Sequence, residues 1–361
     1  MKKINRVLAF ALSLTMLIVL AAGCSSQSGG NSSAPSPAGN SATGGTSSAD
    51  DSGNPLGLAQ KIVISYSHVQ STTSPTHRAM EDFGKYLEEQ SGGWVTLEIF
   101  PAGQLYNDAT EIDAIVGGNI DMVSTYMSKL TSIDTATQYC LAPYLFESAD
   151  EMEAFYTSEY AEPLYANINA LGLNVVNVMF GGEQYFMSNG DSVQTIDGFQ
   201  GKKVREGGGA MTQALYNALG ASITTVPFNE LYTAMQTNLV NIAVTSIDSA
   251  VSIQLQEVLK SVSSYKIQYA PYLIMFNQAT WDSYPEALRT VITDGLEMAR
   301  VKQLAYTEEG CAAAIETVKA VCDFYEASDA EIEELRDLWQ PIVEEYVDSS
   351  WIDAINAFKA G

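Results

Sequence analysis

Gly198-Phe-Gln-Gly-Lys-Lys-Val-Arg205-Glu-Gly-Gly-Gly209, Gln213-Ala-Leu-Tyr-Asn-Ala-Leu-Gly220 and Thr225-Val-Pro-Phe-Asn-Glu-Leu-Tyr-Thr-Ala-Met-Gln236 read as consecutive parts of one folding unit. A short basic strand ends at Arg205 and a glycine turn. Ala214, Leu215, Ala218 and Leu219 mark one face of a helix, and Gly220 suits the left-handed position just past its end. After a brief β-like run, Pro227-Phe-Asn229 is expected to cap a helix over residues 231–239. Residues 241–246 then read as a buried strand. The order strand–helix–strand–helix–strand builds a parallel sheet, and such sheets bind ligands in the loops at the strand carboxyl ends. Arg205 lies in one of those loops.

The same order recurs about a hundred residues earlier. Residues 61–66 predict a strand that runs into a polar loop with His68 and Gln70. Ser74-Pro75 supplies a cap and a first-turn proline for a helix with Met80, Phe83 and Leu87 in one stripe. Ser91-Gly-Gly breaks it, residues 94–100 alternate as a second strand, and a helix near 109–116 precedes a third strand at 120–126. Two such units suggest two lobes. Between them a helix is expected around 149–169, and a strand at 174–180 leads to Gly181-Gly182 as a crossover. Residues 263–276 are β-like and could cross back. From Pro285 to about Ala320 the pattern is nearly unbroken helix, roughly 50 Å at 1.5 Å per residue and long enough to touch both lobes. Amphipathic helices over 329–358 should pack outside.

The 361 residues suffice for two domains of ordinary size. Eighteen Lys and Arg face 43 Asp and Glu, for a net charge of −25. That charge repels nucleic acid and anionic membrane surfaces, so an anionic ligand needs a specific local cation. Lys2, Lys3 and Arg6 precede an apolar run over residues 7–22, too short and too interrupted for a membrane span, so residues 1–23 read as a signal peptide. Leu20-Ala-Ala-Gly-Cys24 resembles a bacterial lipoprotein cleavage box, which makes Cys24 the lipidated first residue and places the chain outside the cytoplasm on a lipid anchor. A plain secretory signal is the competing reading. Residues 24–57 are mostly Ser, Gly, Asn, Ala, Thr and Pro, a flexible tether. Cys140, Cys311 and Cys322 are odd in number and unevenly spaced, which argues against a disulfide framework or a zinc site and favours small buried side chains.

Five segments together resemble a known family: Phe100-Pro-Ala-Gly-Gln-Leu105, Gly118-Asn-Ile-Asp-Met122, Pro143-Tyr-Leu-Phe146, Gly201-Lys-Lys-Val-Arg205 and Pro227-Phe-Asn-Glu-Leu-Tyr-Thr-Ala-Met-Gln236. In order and spacing they are similar to the dicarboxylate-binding type of solute-binding protein from tripartite ATP-independent periplasmic (TRAP) transporters. The resemblance implies an α/β, two-lobed periplasmic-binding-protein architecture with crossing strands and a long helix bracing both lobes. Residues 58–182 with about 271–310 would form one lobe, and 183–270 with about 311–361 the other. It implies capture of a small organic acid in the cleft between them and delivery to the membrane permease subunits of an ion-gradient-driven transporter, with no catalytic residue, metal or cofactor.

Within that resemblance Arg205 pairs with the ligand carboxylate, and a guanidinium fork matches two carboxylate oxygens. Arg78, Arg289, Arg300 and Arg336 lie in helical patterns. The competing reading for Arg205 is an internal ion pair with Glu206, but neighbours on an extended strand point to opposite faces. His68 would be a polar cleft contact or a plain loop histidine, Tyr126 a cleft or core residue, and Phe228 a pocket wall or a hydrophobic plug before a helix. The chain departs from the family in three places. Gly182-Glu-Gln-Tyr185 stands where a second arginine is common, Thr245 replaces an asparagine, and Glu206 replaces an apolar residue. A smaller or less charged acid, such as a monocarboxylate, is therefore expected, with Gln184, Tyr185 and Thr245 as neutral contacts. Two other classes compete: a ligand sensor using the same cleft, and an enzyme. Against the enzyme, the chain has two histidines, no phosphate loop and no nucleophile elbow.

Overall fold

The structure is a computed structural model that describes residues 54–205 and 208–360. The signal peptide, Cys24, nearly all of the tether and Glu206 lie outside the described residues. In chain order the elements are β1 (Ile62–His68), α1 (Pro75–Gln90), β2 (Val95–Phe100), α2 (Glu111–Val116), β3 (Met122–Tyr126), α3 (Ala149–Tyr156), α4 (Glu162–Asn169) and β4 (Leu173–Ser188). Then come β5 (Lys203–Arg205), α5 (Ala210–Ala218), β6 (Ser222–Thr224), α6 (Leu231–Gln236), β7 (Ile242–Ser246), α7 (Ile247–Ser252), β8 (Ser261–Ser264) and β9 (Tyr269–Asn277). The chain closes with α8 (Gln278–Ser283), α9 (Glu286–Lys319), β10 (Asp323–Glu326), α10 (Asp329–Tyr346) and α11 (Ser349–Ala360). Among the described residues no helix is long and apolar enough to cross a membrane.

The strands run β2-β1-β3-β9-β4-β7-β5-β6, with β8 on β4 and β10 on β8. Both expected units are present. β1 pairs in parallel with β2 and β3, and β5 in parallel with β6 and β7. Two antiparallel strands join them: β9 lies between β3 and β4, and β4 goes on to pair with β7. β4 is one strand through Gly181-Gly182, where a strand followed by a crossover was expected. An added Cβ shows why these positions are glycine. At Gly181 it would lie 3.1 Å from Ala270 Cβ, and at Gly182 2.7 Å from Cys311 Sγ, where α9 passes. The strand register shifts there, so β4 bends without ending.

Ser74 caps α1 as expected, its hydroxyl accepting the His77 N–H at 3.2 Å. Met80, Phe83 and Leu87 are fully buried, a contribution on the order of 1.5–3 kcal/mol each. The expected 149–169 helix is instead α3 and α4, because the Ser158 hydroxyl accepts the Tyr160 N–H and starts a new turn. Asn229 does not cap α6. Residues 228–230 form a 3-10 turn that leads straight into it.

α9 is a single 34-residue helix that Gly295 and Gly310 do not interrupt. Gly295 serves close packing, while the space around Gly310 is ordinary. A Cβ at Gly295 would lie 2.6 Å from Tyr86 Cδ1 and 2.9 Å from Phe83 Cδ2, and one at Gly310 3.6 Å from Pro75 Cγ. Its N-terminal part buries Leu288, Ile292, Leu296 and Ala299 in the core of the first unit, and Ala314 and Val318 join the core of the second. Between them Gln303 clips β4: its Nε2 donates to Phe180 O at 2.7 Å and its Oε1 accepts the Phe180 N–H at 3.2 Å. α10 and α11 pack outside, Trp339 donating to Leu215 O at 3.0 Å and Trp351 stacking on Tyr139.

Candidate functional site

Arg205 ends β5, at the carboxyl edge of the parallel strands of the second unit. Val204 is fully buried in the core, so its neighbour Arg205 turns to the opposite face, and it too is buried. Its Nε donates to Val226 O at 3.0 Å, in the loop after β6, and its guanidinium stands 5.8 Å from the Phe228 ring centre. The other four arginines of the described chain lie in α1, α9 and α10.

Arg205 does have an internal acidic neighbour, Asp108, which arrives from the loop after β2. The two are 3.6 Å apart (Nη2 to Oδ2), Lys129 Nζ stands 3.1 Å from the same oxygen, and Asp108 Oδ1 accepts the Phe228 N–H at 3.3 Å. All of these side chains are buried or nearly so. A separation of 3.6 Å is too long for a hydrogen bond. Asp108 therefore balances charge without using up the directional N–H groups of the fork.

The loop carrying Asp108 is held in place by the motif that precedes it. Ala102 N–H donates to Gln70 O at 2.8 Å and Gly103 N–H to His68 O at 3.1 Å, fastening this loop to the one after β1. Gly103 has φ +68°, and a Cβ there would meet Asn229 of the second unit at 3.3 Å. The glycine of Phe100-Pro-Ala-Gly-Gln-Leu105 thus serves both a left-handed turn and a close approach.

β9 contributes Tyr272, which sequence reading missed. It pairs in register with Tyr126 of β3, the rings 5.4 Å apart. Burial pushes its hydroxyl up to about 12 despite a hydrogen bond from Gln70, and the charges of Asp248, Arg205 and Asp108 all act on it. Gln70 Oε1 is buried without a partner. Periodicity carries no signal for Tyr272, since a tyrosine in a crossing strand reads as core.

His68 departs from expectation. It lies within β1, not in an exposed loop, is 1% exposed, and shares a 3.0 Å contact between its Nε2 and His77 Nδ1. Burial, then the neighbouring His77, lowers its pKa to about 3, which keeps the ring neutral. Tyr185 and Thr245 face each other across β4 and β7 on the face that also bears Ala243, the register partner of Arg205. Tyr185 packs against Phe324. Gln184 lies on the opposite face, paired with Ser246, its side chain donating to Gly182 O at 3.3 Å. The structure thus places Arg205 with Phe228, Asp108 and Lys129, and sets Tyr126 against Tyr272, which Gln70 bonds and the Arg205 charge reaches. Tyr185 and Thr245 stand further along the same face, and Gln184 turns away.

The family model for bacterial extracellular solute-binding proteins, family 7, matches residues 66–350. The chain belongs to that family, the solute-binding proteins of TRAP transporters. The C4-dicarboxylate-binding periplasmic protein DctP of Rhodobacter capsulatus is 27% identical over 312 residues, 84% of this chain and 92% of that one. The C4-dicarboxylate-binding protein DctB of Bacillus subtilis is 23% identical over 292 residues, 80% of this chain and 83% of its own. Among solved structures, the sugar acid binding protein DctPAm of Advenella mimigardefordensis, in complex with galactonate, superposes with a TM-score of 0.81 at 20% identity, covering 83% of this chain and 99% of that one. A solute-binding protein from Shewanella oneidensis with bound succinate gives 0.79 at 22%, covering 82% and 99%. The two-lobed α/β fold expected from the sequence is therefore that of solved TRAP solute-binding proteins.

A groove of about 490 Å³ lies elsewhere, between α4, β4 and α9. Its one cation, Arg300, is held by Glu153 and Glu297, and Glu159, Glu162 and Asp294 line the rest. That lining repels acids. Among the described residues no cluster of His, Cys, Asp and Glu could hold a metal ion.

Proposed function

We propose that this solute-binding protein captures a small organic acid by pairing its carboxylate with Arg205 and passes it to the permease subunits of a TRAP transporter. One observation carries the reading: a buried guanidinium whose Nε is fixed by Val226 O and whose Nη2 stands 3.6 Å from Asp108, beyond hydrogen-bond reach. Two charge-assisted hydrogen bonds to a carboxylate would contribute on the order of 1.5–3 kcal/mol each. Phe228 and Tyr126 wall the position, Tyr272 and Gln70 offer polar contacts, and Tyr185 and Thr245 lie where a longer ligand would reach. The ligands named for similar structures, succinate, galactonate and glucuronate, are all carboxylates. The lobes we assign are residues 58–182 with about 271–310, and 183–270 with about 311–361.

Thermal-shift measurements across a panel of organic acids test this. A carboxylate at a hundredfold excess over its Kd should add about 2.7 kcal/mol of stability. A panel in which neutral sugars and amines stabilise the protein while no acid does would reject the reading. We further propose that the protein acts outside the cytoplasm on a lipid carried by Cys24. Cys24→Ser should move it from the membrane to the soluble fraction; if it stays with the membrane, the anchor is something else.

A further inference from the structure

We infer that Asp108 selects ligands by charge, admitting acids with one carboxylate and hydroxyl groups beyond it and disfavouring dicarboxylates. The inference rests on the reading of Arg205 as the carboxylate clamp. Two cations meet at this site, Arg205 and Lys129, and a dicarboxylate could in principle use both. Asp108 stands between them, 3.1 Å from Lys129 Nζ and 3.6 Å from Arg205 Nη2, with its other oxygen on the Phe228 N–H. The protein's own carboxylate thus already occupies the place of a second anion. Arg205 keeps its outer N–H groups for the first, because 3.6 Å leaves them unbonded to Asp108.

Burial makes that occupation effective. Asp108 is 7% exposed, so its charge is weakly screened, and a further carboxylate beside it would have to be protonated or rejected. The neighbourhood already shows this effect. Glu111, fully buried one turn further along, is held well above the usual carboxylate range by burial and then by the Asp108 charge.

The remaining polar atoms favour hydroxyls. Gln70 Oε1 is a buried acceptor with no partner, while the Gln70 side chain bonds Tyr272, which itself feels the Arg205 charge. A carboxylate offers no proton to such an acceptor or to Asp108, whereas a hydroxyl does. One carboxylate on Arg205 followed by hydroxyls on Asp108 and Gln70 suits all three of these side chains.

Matched acids decide the matter: glycerate with tartronate, threonate with tartrate, and galactonate with galactarate. Each pair shares a carbon skeleton, and only the far carbon differs, hydroxymethyl in one and carboxylate in the other. Calorimetric titration of the wild-type protein should find the monocarboxylate at least tenfold tighter in whichever pairs bind. Asp108→Asn, which keeps shape and removes charge, should move that ratio at least tenfold toward the dicarboxylate. Tighter binding of the dicarboxylates by the wild type overturns the inference, and that measurement needs no variant. A ratio unmoved in Asp108→Asn, or in Asp108→Ser should the first variant fail to fold, overturns it as well, while leaving the Arg205 clamp standing. If no acid in these pairs or the wider panel binds the wild type, the clamp itself falls and the charge-selection role falls with it.

Discussion

Arg205→Ala is expected to weaken acid binding by at least a hundredfold in calorimetric titration. The estimate follows from losing two charge-assisted hydrogen bonds, together about 3–6 kcal/mol, where about 1.4 kcal/mol is a factor of ten. The ligand-free protein should fold nonetheless. Asp108 would keep Lys129 and the Phe228 N–H as partners, so its buried charge is not left alone. Arg205→Lys separates charge from geometry. It restores the positive charge without the planar fork and without the Nε donor to Val226 O, so it should recover part of the affinity and leave a loss of about tenfold. A variant at position 205 that folds and binds acids within threefold of wild type would mean that the clamp lies elsewhere.

The largest expected loss of stability is at Phe83→Ala, about 3–5 kcal/mol, read from the denaturant midpoint. Phe83 is fully buried where α1 crosses α9, and its ring fills the place a Cβ at Gly295 would take, 2.9 Å from that position. Gly295→Ala alone should destabilise as well, because its Cβ would press on Tyr86 and Phe83; overpacking costs about 1–3 kcal/mol, against about 1 kcal/mol gained in helix propensity. The double variant should be more stable than the sum of the two losses predicts, since removing the ring gives the new methyl room. Strict additivity would show that the two residues do not share a packing site.

Much of this fold is legible in the sequence because its two parallel units are made of short buried strands and one-sided helices, and those patterns are local. The Met80, Phe83 and Leu87 stripe, the Ser74 cap and the glycine past α5 are each decided within a few residues. Arg205 was legible for a related reason, being the one arginine of the described chain outside a helical pattern. What escaped notice depends on contacts between distant segments. Asp108 reaches Arg205 only because the loop after β2 is fastened to the loop after β1, and Tyr272 reaches Gln70 only because β9 threads between β3 and β4. His68 read as a loop residue because a polar run follows an apolar one, yet His77 of α1 supplies the partner that allows its burial. Gly181-Gly182 read as a break since glycine usually punctuates a strand. Here both glycines leave space for packing neighbours.

The threading of β9 also dictates the order in which the molecule can be made. The sheet of the first unit ends at β3 until Tyr269–Asn277 arrives to pair with it, and β4 lacks one of its neighbours until the same moment. A chain emerging amino end first therefore holds two unpaired strand edges over the eighty residues between Ser188 and Tyr269. Only when β9 closes both edges at once can α9 be laid across them. Folding of this kind is governed by distant closures, hence slow, and the nascent chain stays open to edge-to-edge pairing with other chains until its last third is present.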